Sequence, residues 1–153
     1  IDFIARKSVE MGAKFIKPIL SEFSVVDKIN IEKFQANIIE ATQQSRRIDL
    51  AEISELKKFK DFLKNLQKND IIFHADETGN GKSPEEFFKQ FSYDSKYNYY
   101  LLIGPEGGFS DSERELLEAH SQVFSFTMGP RILRSDTAMI AGLTLLQNYL
   151  GDF

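Results

Sequence analysis

Two glycine-bearing segments have the strongest claim to chemistry in this chain. One is Ile103-Gly104-Pro105-Glu106-Gly107-Gly108-Phe109-Ser110, the other Met128-Gly129-Pro130-Arg131-Ile132-Leu133-Arg134-Ser135-Asp136-Thr137-Ala138. In the first, glycines let backbone N–H and C=O groups approach a ligand without interference from Cβ atoms, and Glu106 adds a carboxylate. In the second, Arg131 and Arg134 supply two fixed positive charges. Ile132 and Leu133 are apolar residues in a loop, which calls for either burial or a ligand. Each segment also has a plainer explanation. The first would serve as a tight strand-to-helix turn with a solvated Glu, the second as a loop packed on the core with its arginines in surface ion pairs.

Other clusters carry less. Gln43-Gln44-Ser45-Arg46-Arg47 closes a predicted helix, where cations complement the helix dipole; contact with RNA phosphate or with a partner subunit is the functional alternative. Gly79-Asn80-Gly81-Lys82-Ser83 resembles part of a phosphate-binding loop, but Asp76 stands where that pattern needs its first glycine and would repel phosphate. The segment reads as a turn before a helix. His74 is placed at a strand end near the candidate ligand edge and is expected to line the site, whereas His120 reads as a helix C-terminal residue. No spacing of His with carboxylates suggests zinc, so no metal is expected.

The elements that must position these residues alternate between helix and strand. Helices are expected over 3–11 with Gly12 as the stop, from Asn30 with the stripe Ile31, Phe34, Ile38 and Ala41, and from a Ser54 cap with Leu56, Phe59, Leu63 and Leu66 on one face. Further helices follow the capping-box pairs Ser83/Glu86, running to about Phe91, and Ser110/Glu113; a last one runs from about Ser135 with Met139, Leu143, Leu146 and Leu150. Strands are expected over 14–20, where Pro18 marks an edge or an end, over 70–75, over 99–103 as a strand buried on both faces, and around Phe124, Phe126 and Met128. Such alternation implies an α/β fold, a parallel sheet flanked by helices. Both glycine-bearing loops then leave strand C-termini, the edge at which open parallel sheets bind ligands.

With 153 residues, 42% hydrophobic and 27% charged, the chain fits one domain. It has no Cys, so disulfides and thiolate sites are excluded; the absence of a membrane span or secretory signal fits a cytoplasmic protein. A net charge of −4 does not favour general nucleic-acid binding, which needs Lys and Arg on phosphates. Beginning at Ile1 rather than Met, the chain is read as a piece of a longer protein.

Taken together and in order, the segments 102–110 and 129–138 resemble the family that methylates N3 of a uridine in small-subunit ribosomal RNA, within the knotted SPOUT methyltransferases. Lys7-Ser8-Val9-Glu10-Met11-Gly12 with Pro18, Glu40-Ala41-Thr42-Gln43-Gln44-Ser45-Arg46 and the closing Gly151-Asp152-Phe153 extend the resemblance over nearly the whole chain. Asp136 departs from the family's usual Glu, and Arg46 stands where the family has Gly. The resemblance implies a C-terminal deep trefoil knot, S-adenosylmethionine as cofactor and an obligate homodimer. It implies one methyltransferase domain over 1–153, preceded in the family by an RNA-binding barrel and a first strand that this chain lacks. By motif match the cofactor would be held by Gly104, Glu106, Gly107, Gly108, Met128, Gly129, Arg131, Ile132 and Leu133, with His74 beside them. Arg46, Arg47 and Arg134 would meet RNA in an assembled small-subunit particle, with no role for a membrane.

The implied chemistry must remove the proton from uridine N3 and stabilise the charge spread onto O2 and O4. Arg134 is expected to supply that stabilisation, with Arg131 pinning the loop as the alternative. Glu106 or Asp136 would accept the proton. Rival readings are a nucleotide-hydrolysing α/β domain using 79–83, and a non-catalytic dimerisation or RNA-docking module.

Overall fold

The computed structural model describes residues 2–79 and 81–152. Asn80 of the 79–83 turn and Phe153 of the closing motif lie outside them.

The first half is built around a helix pair. Helix α1 (Asp2–Glu10) is followed by Gly12 at φ +86°, and α2 (Ile31–Gln44) is capped by Asn30, whose side chain accepts the N–H of Lys33. Their apolar faces close over Val9, Ile38, Ala41 and Ala51. Between and after them run four short strands, β1 (Phe15–Ile16), β2 (Ile19–Leu20), β3 (Glu52–Ile53) and β4 (Lys57–Lys58), paired in parallel as β1 with β3 and β2 with β4. The expected strand over 14–20 is therefore split at Lys17-Pro18, as the missing proline N–H requires. The expected helix from Ser54 is shorter. Ser54 N–H donates to Ile16 O at 3.0 Å, so this residue is a rung of the ladder and not a cap. Helix α3 (Phe59–Lys64) begins after Lys58 and buries Phe59, Phe62 and Leu63.

The turn that closes α2 puts Arg46 in a left-handed conformation. Arg46 N–H donates to Gln43 O and Arg47 N–H to Thr42 O, the paired bonds of a Schellman motif, and Arg46 takes φ +57°. That position favours glycine. Arg46→Gly is expected to stabilise the fold by roughly 0.5 kcal/mol, the left-handed penalty of about 1–2 kcal/mol less the entropy of about 0.5–1 kcal/mol that glycine adds to the unfolded chain. A lower midpoint in urea would contradict this.

The second half is a three-stranded parallel sheet in the order β6-β5-β7, made of β5 (Asp70–Ala75), β6 (Asn98–Leu102) and β7 (Val123–Phe126). Helices α4 (Pro84–Phe88), α5 (Asp111–Ala119) and α6 (Ser135–Leu150) complete it. Side chains on β5 alternate between faces. Ile72 packs with Phe59, Phe62, Leu63 and Leu117 on one side, and Phe73 and Ala75 with Phe87, Phe88 and Phe126 on the other. The doubly buried strand is thus β5. The 99–103 run, expected to be buried on both faces, belongs to β6 at the edge, where Tyr99, Tyr100 and Leu101 stay half-buried. The helix after Ser83 ends at Phe88, short of Phe91. Helix α6 lies on β6 at Gly142, where an added Cβ would stand 2.7 Å from Leu101 Cδ2. No helix among the described residues is long and apolar enough to cross a membrane.

Candidate functional site

Strand order decides where the two glycine-bearing loops go. β6 and β7 flank β5, so the loops that leave their C-termini emerge on either side of the end of β5. A crevice at such a point is the ordinary ligand site of an open parallel sheet. A cleft of about 490 Å³, open to solvent, lies there.

From the first loop Gly104, Glu106 and Gly108 line this cleft; from the second, Met128, Gly129, Arg131, Ile132 and Leu133. The loops also touch, since Ser135 Oγ–H donates to Glu106 Oε1 at 2.9 Å. Backbone hydrogen bonding, then Ser135 and more weakly the Arg134 charge, hold the Glu106 carboxyl below the usual carboxylate range. Ile132 remains 79% exposed, an apolar side chain at the mouth with no core partner to account for it.

Helix α5 sets the first loop. The Ser110 side chain accepts Glu113 N–H, and the Glu113 carboxylate accepts Ser110 N–H at 3.1 Å, the reciprocal box expected from the sequence. Glu113, 5% exposed, also accepts Glu22 N–H at 3.0 Å and so ties a distant loop to this turn. Gly107 is not in the cleft wall; a Cβ there would meet Phe23 Cβ at 2.9 Å.

Several expected site residues lie elsewhere. His74 is a core residue and not a cleft-lining one. Strand alternation sends it to the face of Ile72, where its ring meets Phe109 edge-on and its Nδ1 shares a hydrogen bond with Ser125 Oγ at 3.0 Å. Its neighbour Ala75, of opposite parity, lines the cleft instead. Arg134 caps α6 from outside the cleft wall, its side chain 79% exposed and its Nε 3.8 Å from Asp136 Oδ1. Asp136 turns back on its own helix, where Oδ1 accepts Thr137 N–H at 2.7 Å. Arg47 is committed to the fold. It donates from Nη1 to Val9 O and Ala13 O, both at 2.8 Å, and pairs with Asp49. Arg46, beside it, is exposed.

The cleft also includes residues to which the sequence reading gave no binding role: Asp76 and Glu77 after β5, and Ser135 and Ala138 at the start of α6. The signal for the first two was available. They follow a strand C-terminus at the same edge as the two loops.

Buried His74 makes stability pH-dependent. Burial lowers its pKa, opposed by Asp76 and Glu77, and its Nε2 has no hydrogen-bond partner. An unfolded histidine titrates near about 6.5. Below that pH the unfolded chain takes up a proton that the folded chain refuses until its lower pKa is reached, so stability falls with acidification. Above it the contribution is complete. The loss is bounded at about 1.4 kcal/mol one unit below the unfolded pKa. His74→Gln is expected to remove this part of the slope in denaturant titrations at pH 7.5 and 5.5; an unchanged slope would contradict the assignment.

Residues 1–147 match the family model described as an RNA methyltransferase domain. A Rickettsia conorii protein named ribosomal RNA small subunit methyltransferase E is 30% identical over 89% of this chain and 54% of its own length. The Aquifex aeolicus protein of the same name is 31% identical over 97% of this chain and 63% of its own. The chain thus spans about 54–63% of the lengths of these two relatives. Among solved structures, a Neisseria gonorrhoeae ribosomal RNA small subunit methyltransferase E bound to S-adenosyl methionine superposes with TM-score 0.86 at 26% identity, over 99% of this chain and 62% of that one. A putative methyltransferase from Legionella pneumophila, in complex with the same cofactor, gives 0.82 at 30% identity over the same shares.

Proposed function

Because the chain belongs to the RNA methyltransferase domain family, we propose that it binds S-adenosylmethionine in the cleft beyond β5 and methylates N3 of a uridine in small-subunit ribosomal RNA. The observation that carries this is the meeting of the two glycine-bearing loops around one cavity, joined by the Ser135–Glu106 hydrogen bond. The wall suits the cofactor by charge. Asp76, Glu77 and Glu106 line it with Arg131, and with Arg114 paired to the first two the carboxylates still outnumber the cations by one, a balance that suits a sulfonium cation better than a polyphosphate. The nucleotide-hydrolysing alternative is weaker on geometry as well, since Lys82 is not in the cleft lining and its Nζ donates to Gln90 Oε1 at 2.7 Å.

The cofactor supplies an electrophilic methyl group on sulfur. The chain's part is to free the nucleophile and hold it in line. A carboxylate of this chain would take the proton from uridine N3, whose lone pair would then accept the methyl group that the cofactor, leaving as a neutral thioether, would supply. Arg134, outward at the rim, is proposed to face the oxygens on which negative charge develops. Glu106 and Asp136 are the candidate bases. The lowered pKa of Glu106 makes it a weaker acceptor of a proton than an ordinary glutamate, and its bond to Ser135 also suits a loop-fixing role. Single-turnover methylation by Glu106→Gln and Asp136→Asn separates the two, and undiminished rates in both would exclude them.

The same reading includes a trefoil knot formed by the C-terminal loops, a homodimer, and RNA capture by Arg46 and Arg134 together with parts of the longer relatives beyond this chain. Parallel calorimetry with S-adenosylmethionine and ATP tests the reading at its base. Binding of the first alone is expected, and binding of ATP alone would overturn it.

A further inference from the structure

A cation stands where the helix dipole disfavours one. Arg114 is in the first turn of α5, near the positive end of the helix, a place that suits Asp111 and Glu113. Its side chain does not escape to solvent. Nε–H donates to Phe109 O at 3.0 Å, Nη2–H donates to Glu77 Oε1 at 2.5 Å, and Nη1 lies 3.6 Å from Asp76 Oδ1. The three side chains are each about three-quarters or more buried, at 26%, 24% and 17% exposure.

These contacts join two of the segments that line the cleft. Asp76 and Glu77 line it from the end of β5, and Phe109 directly follows Gly108, which lines it from the loop after β6. The guanidinium passes close over Gly108, where an added Cβ would lie 3.1 Å from Nη2 and 2.5 Å from Glu77 Oε1. Asp76 is held in turn, accepting Thr78 N–H and Oγ1–H on its two oxygens, while its own N–H donates to Phe126 O at 2.8 Å. Without the cation, two adjacent carboxylates in a partly enclosed wall would repel each other and draw toward solvent, widening the cleft.

We propose that Arg114 is a positioning residue that clamps the segment after β5 to the loop after β6 and so sets affinity for the methyl donor rather than the rate of transfer. This rests on the functional reading above. It adds a residue outside both glycine-bearing segments, and it makes ligand affinity depend on a cation that is not itself in the cleft lining.

The test is a double-mutant cycle on the full-length protein with Arg114→Ala, Glu77→Gln and the pair. It is read by calorimetric Kd for S-adenosylmethionine, by KM against kcat, and by amide hydrogen exchange at residues 77–79 and 108–110 without ligand. Arg114→Ala is expected to raise Kd and KM about tenfold through lost preorganisation, with kcat within about twofold. In the Glu77→Gln background the same change is expected to cost no more than about twofold. Arg114→Lys keeps the charge but loses the bond to Phe109 O, so an intermediate Kd is expected; it also decides the matter if Arg114→Ala does not fold. Unchanged Kd, additive effects, or a fall in kcat at constant KM would overturn the proposal. Wild-type protein that binds no S-adenosylmethionine would overturn the functional reading instead, and the exchange data would still decide the clamp: faster exchange in Arg114→Ala supports it, unchanged exchange removes it.

Discussion

Arg134→Ala is expected to slow single-turnover methyl transfer by about 10²- to 10³-fold while leaving affinity for S-adenosylmethionine within about twofold. The size of the effect follows from the proposed chemistry. Uridine N3 becomes a nucleophile only as negative charge builds on two carbonyl oxygens, and a fixed cation aimed at them acts on the transition state more than on the bound ground state. The placement suits this role. Arg134 caps α6 through its backbone, with Ala138 N–H donating to its carbonyl at 2.8 Å, so its Cα is anchored while its side chain reaches outward. At 79% side-chain exposure and 3.8 Å from Asp136, the guanidinium contributes little to folding, and its removal is expected to change stability by less than about 0.5 kcal/mol. Arg134→Lys keeps the charge but not the planar fork, and an intermediate rate is expected. Arg131 gives the contrast. It lines the cleft, so Arg131→Ala is expected to raise KM for the cofactor more than it lowers kcat. An Arg134→Ala protein that transfers methyl groups at the wild-type rate would remove this residue from the chemistry.

What could be read from the sequence follows the distance over which each feature is determined. The capping box at Ser110 and Glu113 is local, set by residues three apart, and it is present as expected. So is strand β5, whose apolar run needs both faces covered. The misplacements concern tertiary parity and partner choice. His74 occupies the expected strand end, yet alternation turns it under Phe109, and nothing local tells one face of a buried strand from the other. Ser54 has the residue type of a helix cap, but residues 14–20 offer it a strand partner. Arg47 has the position of a surface cation at a helix end; its two bonds to the backbone at Val9 and Ala13 arise because α1 happens to end beside it. The convergence of the two glycine-bearing loops was expected from their common position after strands. The strand order β6-β5-β7, which puts them on either side of one strand end, is a long-range property.

Gly108→Ala is expected to weaken S-adenosylmethionine binding at least about tenfold and to destabilise the protein by about 2–3 kcal/mol, beyond the about 1–2 kcal/mol that a left-handed backbone alone costs an L-residue. The comparison with Gly129→Ala separates the causes. Both glycines have positive φ, +70° and +104°, and both line the cleft. A Cβ on Gly129 meets nothing within 4 Å, so its stability cost is the backbone strain. A Cβ on Gly108 falls on the Glu77 carboxylate and against the Arg114 guanidinium, and neither can withdraw without breaking their ion pair. The unliganded Gly108→Ala protein should therefore lose clearly more stability than Gly129→Ala in urea unfolding. If strain were the whole story, Gly108→Ala, at the edge of the left-handed region, would be no less stable than Gly129→Ala, whose φ of +104° lies outside it. A glycine that reads in the sequence as room for a ligand would then be room for a ligand and nothing more. The geometry gives it a second role, as the gap through which Arg114 reaches across the cleft wall.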